Sequence, residues 1–399
     1  MGIMPYEESG HQLECNFQSN SNNRQPNLLS PCSEPSLPPF HSFTSQSSRS
    51  YLQALHCHCV TTLKGHTSYV SSLTVAGKFL YSGSSNKEIR TWKINPLNSS
   101  VEHVVSTGEG AVKCLVVLAD KVFSAHQDHK IRVWKLTSHE PDEQKYTRFA
   151  TLPTFGDRAS KILLPKNQVK IRRHKTCTWV HHVDTVSALA LSRDESLLYS
   201  VSWDRTLKIW RTSDFKCMES IANAHDDAIN AVASSNDGDV YTGSADKKIK
   251  VWRKIQGAQK LSHVATLEKH NSGINALALN SDASVLFSGA CDGSIMVWQK
   301  DDGGNMGAVG ALRGHTQSIL CLVVVLDLVC SGSADSTVRI WRGLGRDYCC
   351  LAELEGHKAP VKCLAASFDR YDQSNSSFVV YSGSLDCDIK VWQISSPLL

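Results

Sequence analysis

The chain has 399 residues, 41% of them hydrophobic and 20% charged, with a formal net charge of +4. That balance describes a soluble globular protein with room for a large core. No stretch approaches 18 consecutive apolar residues, and the first residues carry neither a basic start nor an apolar run, so a membrane span and a secretory signal are both excluded from expectation. Tyr6 stands where a myristoylation signal needs Ser or Thr, and the expected location is therefore cytoplasm and nucleus.

Residues 1–50 are rich in Ser, Asn, Gln and Pro without any sustained apolar period, which predicts a disordered tail. Ser30-Pro31 within it offers one proline-directed phosphorylation step, a dipeptide that is also common by chance. Next comes "HCHC", His56 to Cys59, the one crowd of metal-ligand residue types. Alternation along a strand would send its His and Cys side chains to opposite faces, so strand residues are expected there and no metal. The fourteen cysteines are scattered without a CxxC pair and read as reduced thiols packed as small hydrophobes.

From about residue 51 to 396 the chain repeats itself. Seven copies align over twelve residues: "YSGSSNKEIRTW" ending at Trp92, "FSAHQDHKIRVW" at Trp134, "YSVSWDRTLKIW" at Trp210, "YTGSADKKIKVW" at Trp252, "FSGACDGSIMVW" at Trp298, "CSGSADSTVRIW" at Trp341 and "YSGSLDCDIKVW" at Trp392. Each predicts a strand, a tight turn at the Asp, and a second strand with alternating aliphatic residues, such as Ile249 and Val251 before Trp252. Upstream of six copies a His stands four residues before the aliphatic residue that opens another strand: His66, His182, His225, His270, His315 and His357. Four strands per repeat follow. The interval from Trp134 to Trp210 is 76 residues where its neighbours on either side have 42, so an insertion lies within it, at about 137–175.

These motifs resemble the WD-repeat family over residues 57 to 394. The resemblance implies an all-β, seven-bladed β-propeller, in which "CVTTLKGH" supplies the outer strand of the last blade and closes the ring. It also implies a hydrogen-bonded tetrad of His, Ser, Asp and Trp in each blade. On this sequence those are His66, Ser84 and Trp92; His182, Ser202, Asp204 and Trp210; His225, Ser244, Asp246 and Trp252; His270, Asp292 and Trp298; His315, Ser333, Asp335 and Trp341; and His357, Ser384, Asp386 and Trp392. Asn86 replaces the first Asp and Ala290 the fifth Ser. The second copy has Gly108 and His126 at the His and Ser positions, so its network is expected to be dismantled as a unit.

His with Asp, recurring at similar spacing in repeat after repeat, reads as scaffold, since a catalytic site is one constellation of differing roles. With no phosphate loop, nucleophile elbow or metal cluster in the sequence, no enzyme, no catalytic residue and no cofactor are expected. A protein-interaction scaffold, a monomeric ring, fits best. Two alternatives stay open: a nucleic-acid-associated factor using the basic insertion, which lacks the aromatic stacking pattern of such proteins, and a ubiquitin-ligase substrate adaptor, which would usually carry Trp-Asp-x-Arg where these copies end in Trp-Lys, Trp-Arg or Trp-Gln. The stretch "TRFATLPTFGDRASKILLPKNQVKIRRHKTCTWVHHVDTVSALALS" further resembles plant WD-repeat proteins of the JINGUBANG type. That resemblance implies a cytoplasmic and nuclear regulator of development or growth, with signalling proteins or transcription factors as partners.

Two candidate surfaces follow. Trp203, beside the turn residue Asp204, has the charged neighbours Asp184, Arg205, Asp226 and Asp227, and is either a partner anchor or a residue packed against the adjoining blade. The second is "KILLPKNQVKIRRHK", with six Lys or Arg and no acid, expected on a long loop on the face opposite the His and Asp turns. Within it Lys170, Arg172, Arg173 and Lys175 are assigned to nuclear import or docking of an acidic partner, with plain solvated surface as the alternative.

Overall fold

The computed structural model describes residues 55–94, 102–107, 109–137, 145–162, 168–172, 175–254, 260–344, 347–368 and 377–395. The predicted tail, and the Ser30-Pro31 step, lie outside them. Seven four-stranded antiparallel sheets make seven blades. Blade 1 comprises β2 (Val70–Ala76), β3 (Phe79–Ser84), β4 (Glu88–Lys93) and β5 (Glu102–Thr107), and blade 2 comprises β6 (Val112–Leu118), β7 (Lys121–His126), β8 (Ile131–Leu136) and β9 (Tyr146–Leu152). Blade 3 runs through β12 (Val186–Leu191), β13 (Leu197–Ser202), β14 (Leu207–Arg211) and β15 (Cys217–Ile221), and blade 4 through β16 (Ile229–Ser234), β17 (Val240–Ser244), β18 (Ile249–Lys254) and β19 (Leu261–Leu267). Blade 5 has β20 (Ile274–Leu279), β21 (Val285–Ala290), β22 (Ile295–Lys300) and β23 (Met306–Leu312), and blade 6 has β24 (Ile319–Val325), β25 (Leu328–Ser333), β26 (Val338–Leu344) and β27 (Asp347–Leu354).

Blade 7 joins the two ends of the described chain. Its β28 (Val361–Phe368), β29 (Ser377–Ser384) and β30 (Ile389–Ser395) are completed by β1 (His56–Leu63), which pairs antiparallel with β30 from His56 opposite Ser395 to Leu63 opposite Ile389. "HCHC" is thus an outer-edge strand, as the alternation indicated. The strands β2, β6, β12, β16, β20, β24 and β28 touch in sequence and return from β28 to β2, so they are the innermost strands of a closed ring. Closure leaves no inner edge to recruit another chain.

The core consists of layers between blades. Val70, Leu80 and Trp92 of blade 1 pack with Tyr381 and Ile389 of blade 7, and an equivalent cluster fills each of the other six boundaries. Aromatic pairs staple three of them: Tyr81 with Tyr146, Phe123 with Phe215 and Phe287 with Tyr348, all edge to face. The third residue of the repeated motif faces the next inner strand at close range. A Cβ on Gly289 would lie 2.4 Å from Ile319 Cγ2, so only glycine permits that spacing.

The insertion departs from its expected place. Blade 2 receives its outer strand β9 in the ordinary way, with Leu152 opposite Ile131 next to the Asp128 turn. The extra chain follows β9 and precedes β12, so it belongs to the outer-to-inner connection and leaves the propeller on the same face as the His and Asp turns, not the opposite one. Nor is it wholly a loop. It contains the helix α1 (Phe155–Ile162) and a hairpin of β10 (Gln168–Arg172) and β11 (Lys175–Thr178). Thr154 Oγ1 accepts the Asp157 N–H at 3.2 Å and caps the helix, while the buried Asp157 carboxylate accepts the Cys217 N–H at 3.0 Å and fastens α1 to β15.

Candidate functional site

The face with the His and Asp turns is built on one repeated network. In blade 4, Trp252 Nε1 donates to Thr242 Oγ1 at 2.9 Å, Thr242 Oγ1 stands 2.8 Å from His225 Nε2, and His225 Nδ1 lies 2.8 Å from Asp246 Oδ2. An ionised Asp246 only accepts, so Nδ1 carries the proton, Nε2 accepts, and the hydroxyl donates to it. Both ring nitrogens are thereby spent. Blades 3, 6 and 7 repeat the arrangement with His182, Asp204, Ser200 and Trp210; His315, Asp335, Ser331 and Trp341; and His357, Asp386, Ser382 and Trp392.

The hydroxyl is therefore not the one expected. Ser84, Ser202, Ser244, Ser333 and Ser384 stand two residues nearer the turn, where they cap it: Asp246 N–H donates to Ser244 Oγ at 3.1 Å, and Ser244 Oγ donates to the Asp227 carbonyl at 3.1 Å. The reason is register. Trp252 sits opposite Val240, and Thr242 is its diagonal neighbour, whereas Ser244 lies a further pair away. A signal was present, since the second residue of the motif is Ser or Thr in all seven copies and the fourth is not.

Blade 2 is rebuilt, contrary to the expected dismantling. Trp134 Nε1 still donates to Ser124 Oγ at 2.8 Å, but the ring bonded to that hydroxyl, at 2.7 Å, belongs to His126 of the same strand. His126 Nδ1 donates to the Gly110 carbonyl at 2.8 Å, and Asp128 turns to Arg132, a guanidinium only 1% exposed that also reaches Glu109 at 3.2 Å. Burial pushes His126 down to about 4, and His66 and His270 likewise. In blade 1, His66 Nε2 meets Ser82 at 2.7 Å, but Asn86 turns to Thr67 and leaves Nδ1 3.8 Å from Glu88. In blade 5, His270 Nε2 meets Ser288 at 2.6 Å and Nδ1 has no hydrogen-bond partner. Asp292, expected in that tetrad, instead accepts from Ser294 while its own N–H is held by Ser272.

Around the mouth of this face, Asp184, Arg205, Asp226 and Asp227 are exposed and Trp203 is half-buried. Lys113 Nζ, from the inner strand of blade 2, stands 5.5 Å from the Trp203 ring centroid. The indole is therefore engaged by the neighbouring blade while part of it still faces solvent. The acids are partly used by their own turns: Asp184 accepts the Thr185 N–H at 2.6 Å and Asp227 the Ala228 N–H at 2.7 Å, while Asp226 lies 4.0 Å from Lys248. Of the basic residues, Lys170 stands opposite Thr176 and Arg172 opposite Lys175 in the hairpin register, and Arg173 lies outside the described residues.

A family model described as "WD domain, G-beta repeat" matches residues 57–93, 173–211, 215–253, 261–299, 307–342 and 348–393. The chain belongs to the WD-repeat family. Its rebuilt second blade falls outside the matched segments. Among curated relatives, apoptotic protease-activating factor 1 of Danio rerio is 26% identical over 54% of this chain and 16% of its own length. The kinesin-like protein KIF21B of Homo sapiens is 22% identical over 84% of this chain and 19% of its own. A ribosome biogenesis protein WDR12 homolog of Oryza sativa subsp. japonica is 25% identical over 43% of this chain and 45% of its own. The chain thus spans less than half the length of each.

As in other WD-repeat propellers, the general role is to present surfaces to other proteins. The residue after the Trp, acidic in the dipeptide that names the family, is basic in most of these blades and is used locally. Arg253 grips Asp239 at 2.6 and 2.7 Å, Arg342 meets Asp327 at 2.7 Å, and Lys135 lies 3.8 Å from Asp120. Each pair clamps the third strand to the turn between the first two. Among the described residues no group of three or more His, Cys, Asp or Glu is placed to hold a metal ion.

Proposed function

We propose that this WD-repeat propeller is a non-catalytic scaffold that gathers protein partners on its His and Asp face. Its finer role, on the resemblance of the insertion region to JINGUBANG-type proteins, is that of a plant developmental or growth regulator acting in cytoplasm and nucleus. One observation carries the choice of face: the insertion leaves between β9 and β12, on the side that also carries Trp203, Asp184, Arg205, Asp226 and Asp227. A half-buried aromatic among exposed charges, on the face from which the Lys- and Arg-rich insertion leaves, supplies both an anchor and electrostatic steering on one side of a rigid ring. The His–Asp pairs support the non-catalytic part, because each ring is closed on a hydroxyl of its own blade.

The test uses the full chain in plant cells and in extract. Trp203→Ala should keep the melting transition while losing bound partners identified with the native protein. Changing Lys170, Arg172, Arg173 and Lys175 together to Gln should leave the transition within about a degree or two and abolish nuclear accumulation or salt-sensitive binding. Retention of every partner by Trp203→Ala, together with unchanged localisation of the fourfold variant, would overturn the reading.

A further inference from the structure

The innermost strands carry a pair of charges that the fold does not use. Together the seven contain two lysines, Lys113 of β6 and Lys362 of β28, and no Asp, Glu, Arg or His. Both lysines hold the second position of their strand, at the end next to the His and Asp turns. In all seven blades the pairing with the following strand slips at that position, as between Val112 and Cys114 and between Val361 and Cys363, so the residue sits in a bulge. A bulge re-aims its side chain. Lys362 is exposed between the buried Val361 and Cys363, and on an innermost strand such exposure is to the mouth of the central channel.

Other blades show what this position does for the fold. Ser71, Ser187, Asn230 and Asn275 occupy it in blades 1, 3, 4 and 5. Each donates to the carbonyl that opens the next inner strand, to Val112 at 2.6 Å, Ile229 at 2.5 Å, Ile274 at 2.9 Å and Ile319 at 2.9 Å. These bonds make a belt around the mouth, and Leu320 and the two lysines depart from it. At both boundaries of blade 7 a thiol takes over: Cys321 Sγ donates to the Val361 carbonyl and Cys363 Sγ to the Val70 carbonyl, each at 3.6 Å. Lys362 is thus relieved of the belt and forms no ion pair with a described residue. Lys113 instead reaches along the rim to Trp203.

The acids of this arc, blades 7, 1 and 2, are committed elsewhere. Glu88 holds Arg90 at 2.8 Å, Glu109 and Asp128 hold Arg132, and Asp386 accepts from His357 Nδ1 and the Lys358 N–H. Asp388 directly precedes β30, two strands out from the channel. Asp184, on the blade beyond Lys113, already accepts the Thr185 N–H, and Asp204 is bound to His182. Two residues ahead of the inner strand, where blades 3 and 4 have Asp184 and Asp227, this arc has Ala359, Ser68 and Gly110. The inner strands β28 and β6 flank β2 on either side, so the two flexible lysine stems share one sector of the mouth. Low-dielectric walls focus the field of such uncompensated charges.

We propose that the channel mouth is an anion site in which Lys113 and Lys362 hold a phosphate monoester. A phosphoryl group carries about −1.5 to −2 charges at neutral pH and three acceptor oxygens, which matches two ammonium groups, whereas one carboxylate would leave about one charge unmatched. The inference deepens the scaffold reading and rests on it for the source of the group, a phosphorylated side chain on a partner segment that also covers Trp203. A small free phosphate ester is the other source of the same chemistry.

The experiment titrates O-phosphoserine with the full chain and follows the phosphorus NMR signal. The expected result is saturable binding that weakens as salt is raised. Lys362→Asn and Lys113→Asn each install the residue of blades 4 and 5, so the melting curve should hold while binding falls at least about fivefold in each and is lost in the double variant. Lys362→Arg should retain binding, and Lys78→Asn, at the exposed turn on the opposite face, should not alter it. Absence of binding, indifference to both Asn substitutions, an equal loss in Lys78→Asn, or equal affinity for aspartate overturns the inference. A short peptide with a central phosphoserine separates the sources. Binding at least about tenfold tighter than phosphoserine, with the gain lost in Trp203→Ala, assigns the group to a partner; equal affinity assigns it to a free ester at the same site. Should phosphoserine and the peptide both fail while partners are still lost from Trp203→Ala, the scaffold reading stands and only this site falls.

Discussion

In blade 4 the imidazole that reaches the buried hydroxyl comes from the loop ahead of the inner strand, at His225; in blade 2 it comes from within the neighbouring strand, at His126. Both rings place Nε2 against a hydroxyl that also accepts the tryptophan N–H, at 2.8 Å to Thr242 and 2.7 Å to Ser124. Both use Nδ1 to donate outward, to the Asp246 carboxylate in one blade and the Gly110 carbonyl in the other. The invariant requirement is thus a proton acceptor for the hydroxyl beneath the turn, and the direction from which it arrives is free. Losing the loop histidine did not empty the site, because an unpaired buried hydroxyl would cost more than moving the ring.

The largest effect should come from removing the shared hydroxyl. In Thr242→Val or Ser124→Ala the histidine and the tryptophan each lose a partner in a buried site, so each variant should be destabilised by about 2–4 kcal/mol in denaturant titrations. Ser244→Ala removes only the turn cap and should cost about 1 kcal/mol. Equal losses for Thr242→Val and Ser244→Ala would mean that the network does not centre on Thr242.

Next in size are the acids. Asp246→Ala leaves His225 Nδ1 and two backbone N–H groups without their acceptor, and about 1–3 kcal/mol should be lost. Asp128→Ala should cost a similar amount for a different reason, since it removes a carboxylate from the buried Arg132 guanidinium. Asn86→Ala breaks only an exposed bond to Thr67 and a turn contact to the Glu88 N–H, and the loss should stay below about 1 kcal/mol. A loss at Asn86 as large as that at Asp246 would break the distinction between complete and altered blades.

The fold was legible because it is written seven times. The Trp-ending copies and the His positions gave the blades and their number, and the closing strand, expected within "CVTTLKGH" at 59–66, lies at His56–Leu63. Within the site, alternation alone left two candidate hydroxyls in five of the seven copies, Thr242 and Ser244 among them, and only the diagonal pairing of Trp252 with Thr242 separates them. The takeover by His126 was hidden for the same reason: a histidine at the capping position reads as a lost serine until the strand shows which hydroxyl it faces. The position of the insertion was misread because the residues between Trp134 and Trp210 contain no repeat motif to mark β9, whose sequence "YTRFATL" pairs with β8 by geometry alone.

Acid should separate the blades further. The folded-state values of His66, His126 and His270, lowered to about 4 by burial, lie below the ordinary 6.5, so the unfolded chain takes up protons first as pH falls. Their contribution is complete above about pH 6.5 and is lost on the way down to about pH 4, at on the order of 1–3 kcal/mol each. Burial raises Asp246, but the His225 bond and backbone donors outweigh it and hold the carboxyl at about 2, so its contribution is lost only below the ordinary 3.8. Melting curves across this range should show a first loss between pH 6.5 and 4, smaller in His126→Asn, and a second below pH 4. A flat profile from pH 7 to 4 would show that the three rings are not held neutral.

The smallest effect should be a gain. Blade 5 has every tetrad residue, yet Asp292 does not reach His270, whose Nδ1 has no hydrogen-bond partner. The difference from blade 4 lies at residue 290. There Ser244 accepts the Asp246 N–H and sets the turn so that the carboxylate points to the ring, whereas Ala290 offers no oxygen and the Asp292 N–H goes to Ser272 instead. Ala290→Ser should return that cap, bring Asp292 to His270 Nδ1, and stabilise the ring by a few tenths to about 1 kcal/mol, offset in part by burying a hydroxyl at a fully enclosed position. The carboxylate would also favour the protonated ring, so the His270 pKa should rise from about 4, a change that NMR titration reads independently of the melting temperature. A stabilised variant with an unmoved His270 would show that the serine only fills space, and a destabilised one would show that the Asp292 turn is held open by Ser272 and not by the missing cap.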